Sequence, residues 1–387
     1  MDRRTVLRAT LTGVGAAAFS GSLWSGAFGE VLPDGVPTVP GPYGHPGVPD
    51  VNGVALPAAF TSRVVARSGA KVARTSYRWH DAPDGGACFP VAGGGWVYAS
   101  NSEITATGGA SAVRFGPDGA VVAAYRILDR TNRNCAGGAT PWGTWLSCEE
   151  ARGGFVYETF PLGGRAAVRR PAIGAFTHEA AACDPDDKVV YLTEDENHGC
   201  LYRFRPTRWG DLSAGTLEAM VGPGPGPVTW ARVPDPSGRT KEPRKQVAGT
   251  VIFNGGEGCW YDRGVCYFTT KGDGRVWAYE TGARTLRIVY DDSAVPVDPP
   301  LTSVDNITGA RSGDLYVAED GGNMEINIIT PAGVVAPFLR VSGQDRSEIT
   351  GPAFSPDGTR LYFSSQRGST GTTSGGITYE VSGPFRA

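Results

Sequence analysis

The chain repeats itself. Six times a glycine-containing turn leads into an apolar-aromatic run that ends on polar or acidic residues: GGGWVYASNSE, WGTWLSCEE, DKVVYLTEDE, RGVCYFTTKGD, SGDLYVAEDGG and GTRLYFSSQRG. The runs centre near residues 97, 146, 191, 267, 316 and 362, so successive gaps are about 49, 45, 76, 49 and 46 residues. Each run alternates or stays apolar over about five residues, as a half-buried or buried strand does. A period of about 45–50 residues holds one four-stranded propeller blade. The expected fold is therefore all-β, a six-bladed β-propeller with a central channel. A pair of β-sandwiches is the alternative that regular spacing disfavours. The long gap is assigned to a Gly/Pro-rich insertion at about 207–248, mostly loop with one short helix. The 56 glycines and 29 prolines suit many tight turns and argue against long helices.

The ends read differently. Residues 1–30 open with Arg3-Arg4 and continue in a small, apolar run, which predicts a twin-arginine-type signal peptide. Residues 31–56 are Pro/Gly-rich and predict an extended arm. That leaves 57–387 for the propeller. The expected location is periplasmic or extracellular, with the twin-arginine export machinery as a partner. A net charge of -3 without a basic stripe excludes nucleic acid as a partner, and no run reaches the length of a stable membrane span.

A second regularity lies behind the first. About 14 to 16 residues before each acidic strand end stands another ligand-type residue. Cys135 precedes Glu149 and Glu150 in this way, Glu179 precedes Glu194 and Asp195, Glu257 precedes Lys271, and Asp305 precedes Glu319 and Asp320. Glu348 opens the last unit likewise. If these residues start the innermost strand of each blade, they converge at one mouth of the channel. Several carboxylates and a thiol crowded there would repel one another unless cations lie between them. Carboxylate oxygens suit a hard cation such as calcium, and a thiolate among carboxylates suits iron. The seven cysteines are odd in number, so full pairing leaves one thiol over; Cys259 and Cys266, flanking the turn in CWYDRGVC, could bridge.

NCAGGATPWGTWLSCEE, AFTHEAAACDP, VVYLTEDENHGCLYRFRP, GGEGCWYD, VDNITGARSGDLYVAEDGG and EITGPAFSPDGTRLYFS resemble the PhoX-type alkaline phosphatase family. They fall in family order from about residue 60 to 370, in a chain that looks like a short member. The resemblance implies a six-bladed propeller with iron and calcium at the channel mouth, hydrolysing a small-molecule phosphate monoester. A metal-bound oxide or hydroxide, or a water, would then be the nucleophile. Carried over by position, Cys135 is similar to an iron-ligating cysteine. Glu179, Glu257, Asp305 and Glu348 match acids that bind iron or calcium, and Glu150 and Asp195 match positions on the calcium side. Asn101 resembles an asparagine that contacts phosphate, with Ser102 where the family has histidine. The expected catalytic set is Asn101, Cys135 and Glu257, with Glu149, Glu194, Lys271, Glu319 and Asp320 as secondary candidates. One departure matters: Gly255 stands where larger members place a phosphate-binding arginine, and Lys271 is the conceivable substitute. Two other readings are a metal-stabilised propeller that binds without turnover and a calcium-dependent lactonase or esterase. Neither a GxSxG elbow nor a P-loop is present.

Overall fold

The structure, a computed structural model, describes residues 40–295 and 297–387. The expected signal peptide at 1–30 and the start of the arm lie outside them. The described residues fold into six antiparallel sheets of four or five strands. The innermost strands are Pro83–Pro90, Asn134–Ala139, His178–Asp184, Gly256–Asp262, Val304–Gly309 and Ile349–Phe354. We number the sheets they begin as blades I to VI. Each inner strand packs beside the next, and that of blade VI returns to that of blade I. This is a six-bladed β-propeller. The repeated sequence runs form the second strand of every blade: Trp96–Ser102, Trp145–Glu149, Val189–Glu194, Val265–Thr270, Leu315–Glu319 and Arg360–Ser365.

The ring closes through both ends of the chain. Thr61–Arg67 pairs with Ile377–Ser382 as the outermost strand of blade VI. The described part of the Pro/Gly-rich arm docks rather than extending freely. Val54–Ala55 pairs with Arg340 and Val341 at the edge of blade V, and the Tyr43 ring meets Phe60, Phe338 and Phe385 edge-on. Within the stretch expected as an insertion, Asp211–Val221 is the fourth strand of blade III and Thr229–Arg232 a fifth. The one helical turn there is the 3-10 turn Pro243–Lys245. Local composition favours loop in this stretch, but Leu217, Ala219 and Met220 are buried, and pairing with Tyr202–Arg208 overrides that preference.

One irregularity recurs in all six blades. Pairing between the first and second strands slips at the same place, between Pro83 and Gly86, Asn134 and Gly137, His178 and Ala181, Gly256 and Cys259, Val304 and Ile307, and Thr350 and Ala353. A bulge bends its strand and re-aims the side chains within it. Its first residue is Asp84, Cys135, Glu179, Glu257, Asp305 or Gly351. The second is small in most blades, because the next blade's backbone is there. A Cβ on Gly85 would lie 2.5 Å from Ala136 Cα, and one on Gly258 2.7 Å from Asn306 Cα.

Candidate metal centre

The bulges aim their first residues into the channel and form an inner ring. A second ring follows from strand alternation, in which neighbouring residues face opposite ways. In each blade the pre-bulge residue pairs with a residue near the end of the second strand: Ser102, Glu149, Glu194, Thr270, Glu319 and Ser364. The three acids among these six residues turn away from the channel. Glu149 accepts from Asn132 N at 2.9 Å and Phe155 N at 3.0 Å. Glu194 accepts from Cys200 N, Tyr202 Oη and Arg244 Nη1 at 3.1, 2.9 and 2.9 Å. Glu319 accepts from Thr302 N at 2.8 Å and Glu325 N at 3.3 Å. All three secure turns. The residues one further on, Glu103, Glu150, Asp195, Lys271 and Asp320, form the outer ring.

Three groups of donor atoms lie mutually within 4.8 Å: Asp84, Glu103 and Cys135; Cys135, Glu150 and Glu179; and Glu179, Glu257 and Asp305. A cavity of about 130 Å³ opens above them, lined by Asp84, Glu103, Cys135, Glu150, Glu257 and Asp305, with Asp320, Glu348, Arg133, Lys271 and Arg367. Asp195 stands against Glu150, within hydrogen-bond reach. All seven residues expected to bind metal therefore meet at one mouth. A larger cavity of about 590 Å³ lies toward the opposite ends of the inner strands, among Cys88, Cys183, Cys259, Trp260 and Phe354, away from the acidic cluster. Cys259 and Cys266 are not bridged; their sulfurs are 3.6 Å apart.

Sequence reasoning missed Asp84 and Glu103. They are 19 residues apart because the first two strands of blade I, Pro83–Pro90 and Trp96–Ser102, are longer than those of blade II, Asn134–Ala139 and Trp145–Glu149, so a spacing of 14 to 16 passes over them. The available signal was local: an acid followed by glycine, as in Glu257-Gly258.

Asn101 has a different place from the one expected. It is fully buried. Its Nδ2 donates to Cys135 O at 3.0 Å and Ala136 O at 2.7 Å, and its Oδ1 accepts from Trp145 Nε1 at 2.9 Å and Ser147 Oγ at 2.8 Å. Its hydrogen-bonding capacity is spent on the protein, so the expected contact with phosphate is not open to it in this arrangement. It positions Cys135. Thr193 and Thr269, at the same place in blades III and IV, do likewise for the next inner-ring residue, donating to Glu257 O and Asp305 O, each at 2.5 Å. Orphaning a buried polar group costs about 1–3 kcal/mol. Asn101→Ala leaves several such groups and should destabilise the fold by about 4 kcal/mol in urea unfolding; a cost under about 1 kcal/mol would remove its positioning role.

The two rings and the cavity bring nine carboxyl groups and one thiol against three cations. Two like charges about 4.8 Å apart repel by about 3–4 kcal/mol at an effective dielectric near 20. A few such pairs rival the whole stability of a domain, about 5–15 kcal/mol. Without bound cations, protons relieve the repulsion. Burial, then the charge of Glu103, raises Asp84 to about 7. Burial and Glu103 raise Glu150 to about 10 against the pull of Arg133. Burial raises Glu257 to about 8 despite Lys271. Burial and neighbouring acids push Glu179, Asp305 and Glu348 well above the carboxylate range. Cys135 keeps a partly open flank toward the cavity, yet packing on its other sides and the charges of Asp84 and Glu179 raise its thiol well above the ordinary value.

Both carboxylate oxygens of Glu179 are buried with no hydrogen-bond partner. Glu257 Oε1 has only Lys271 Nζ, an ion pair at 3.0 Å without hydrogen-bond geometry. Buried polar atoms are rarely left so. Oxygen donors clustered around one sulfur, with orphaned acceptors at the centre, fit bound cations.

The family described as alkaline phosphatase PhoX matches residues 98–161 and 152–368. No curated protein matches the chain. Among solved structures, Pseudomonas fluorescens PhoX in complex with vanadate, a transition state analogue, superposes with a TM-score of 0.72 at 18% identity, covering 88% of this chain and 98% of that one. A protein of unknown function from Bacteroides thetaiotaomicron gives 0.52 at 10% identity over 84% of this chain and 76% of that one. At these identities the likeness is one of fold.

Proposed function

Because the chain belongs to the alkaline phosphatase PhoX family, a phosphatase family, we propose that its channel mouth is a metal-dependent active site that hydrolyses phosphate monoesters. The orphaned oxygens of Glu179 at the meeting point of two donor groups carry this reading. Cys135, Glu150, Glu179, Asp195, Glu257, Asp305 and Glu348 would hold the cations, iron on the side of Cys135 and calcium among the carboxylates, with Asp84 and Glu103 joining them. When bound, the cations would supply Lewis acidity toward the phosphoryl oxygens and offset charge in the transition state.

The chain's own residues supply the rest. The inner-ring backbone is held by Asn101, Thr193 and Thr269, so the donor atoms keep their positions. Arg133 and Arg367 stand at the rim with side chains 43% and 34% exposed. Each is placed to meet an anionic substrate, and a guanidinium suits a phosphate. This arrangement offsets the lack of an arginine at Gly255, which has φ +69° and whose direction of growth points at Asp195 and Lys271. Net reaction replaces the ester oxygen on phosphorus by a water oxygen and releases the alcohol. No side chain need act as nucleophile.

Export by the twin-arginine route would place the enzyme in the periplasm or outside the cell. Among the described residues no helix is long and apolar enough to cross a membrane.

Protein verified to hold metal should turn over an aryl phosphate and lose that turnover to vanadate, while leaving a lactone untouched. Metal-replete protein inert on aryl and alkyl phosphates would favour the non-catalytic reading. Turnover of the lactone alone would favour the lactonase.

A further inference from the structure

The outer ring has one position per blade, and register fixes which residue fills it. Blades I, II, III and V place a carboxylate there: Glu103, Glu150, Asp195 and Asp320. Blade VI has Ser365 there, and blade IV places Lys271. Its side chain stays at the mouth. Nζ lies 3.0 Å from Glu257 Oε1 and 3.2 Å from Asp320 Oδ2. The ammonium thus joins an inner-ring acid of its own blade to an outer-ring acid of the next. The base of the side chain is fixed as well, since Lys271 N donates to Gly255 O at 2.8 Å.

The donor groups divide along the same line. Asp84–Glu103–Cys135 and Cys135–Glu150–Glu179 each include one outer-ring acid, whereas Glu179–Glu257–Asp305, on the side of Lys271, includes none. We propose that Lys271 is a tethered cation that takes the place of one divalent ion between blades IV and V, so that this chain holds one ion fewer than a full ring of carboxylates would. The inference rests on the reading of the mouth as a metal centre. Arg133 does not play the same part. It pairs with Glu103 and Glu150, at 2.9 and 2.6 Å, both in the outer ring, and it replaces no ligand. Lys271 both removes a ligand and supplies a charge. An ammonium carries one unit of charge where a divalent ion carries two, it donates N–H bonds instead of accepting oxygens, and no chelator removes it.

The test is an ion count per chain by mass spectrometry after loading with calcium and iron and desalting, on wild type, Lys271→Glu, Lys271→Gln and Lys271→Arg. Lys271→Glu should gain about one divalent ion, completing an oxygen site with Glu257 and Asp320. Lys271→Gln should gain the same ion at higher calcium, and Lys271→Arg should keep the wild-type count. Lys271→Glu at the wild-type count, with an unchanged circular dichroism spectrum, overturns the proposal. If that variant does not fold, Lys271→Gln at the wild-type count under saturating calcium overturns it instead. Wild type without ions would overturn the metal-centre reading itself, and this inference with it; an unchanged count in an ion-bearing protein overturns this inference alone.

Discussion

Stripping the protein with a chelator should lower its melting temperature by more than about 10 °C at about pH 8 and by much less at about pH 5. The sign follows from the acids of the mouth. Glu257 titrates near 8 in the folded, metal-free chain against an ordinary 4.5, and Asp84 near 7 against 3.8. Between each pair of values the folded chain keeps a proton that the unfolded chain has released. Metal-free stability is therefore fully present below about pH 4 and is lost as pH rises through 7 and 8. Bound cations replace those protons, so the loaded protein should not follow this decline. Each acid is worth a few kcal/mol of such linkage, and about 1 kcal/mol moves the melting point of a large domain by about 2–4 °C. Thermal scans with and without chelator across this range check the prediction. Curves that fall in parallel would mean that the mouth holds no stabilising ion. Hydrolysis of aryl phosphate should fall to background in the stripped protein and return with the metal.

Glu179→Gln should reverse sign between the two states. In the metal-free chain Glu179 is a buried acid with both oxygens unpartnered, surrounded by Glu257, Glu150 and Asp305. Removing its charge relieves both burial and repulsion, so the metal-free variant should melt higher than metal-free wild type, most clearly at alkaline pH. In the loaded protein the same substitution removes a donor shared by two groups. A loss of about 4 kcal/mol of transition-state stabilisation there corresponds to about a 10³-fold fall in kcat/KM. A purely structural glutamate would shift stability in one direction in both states. Paired melting and kinetic measurements on loaded and stripped samples separate the two cases.

The propeller was legible because its unit is long, regular and written in strand periodicity. The second strands are short apolar-aromatic runs, buried along nearly their whole length, that close on polar residues, so their spacing survives in sequence. The fourth strand of blade III did not stand out, since its burial depends on neighbours that only the fold supplies. At the site, spacing located the inner ring in blades II to V and could not rank adjacent acids. Glu149 and Glu150 look alike in sequence; strand alternation sends one to a turn and the other to the channel. Asp84 and Glu103 were hidden by a longer hairpin, and Asn101 was assigned outward because burial of its amide against Cys135 O and Trp145 depends on how blades I and II meet. The ammonium of Lys271 became interpretable only when register placed it in a ring of carboxylates.

On the proposed reading, the crowded acids and the thiol of the mouth exist to hold metal, with Cys135 on the iron. Elemental analysis of wild type and Cys135→Ala, purified without chelator and assayed side by side on aryl phosphate, tests it most directly. The account predicts iron and calcium in wild type, and in Cys135→Ala retained calcium, lost iron and hydrolysis near background. Equal iron in both proteins, or wild-type turnover in Cys135→Ala, would contradict it.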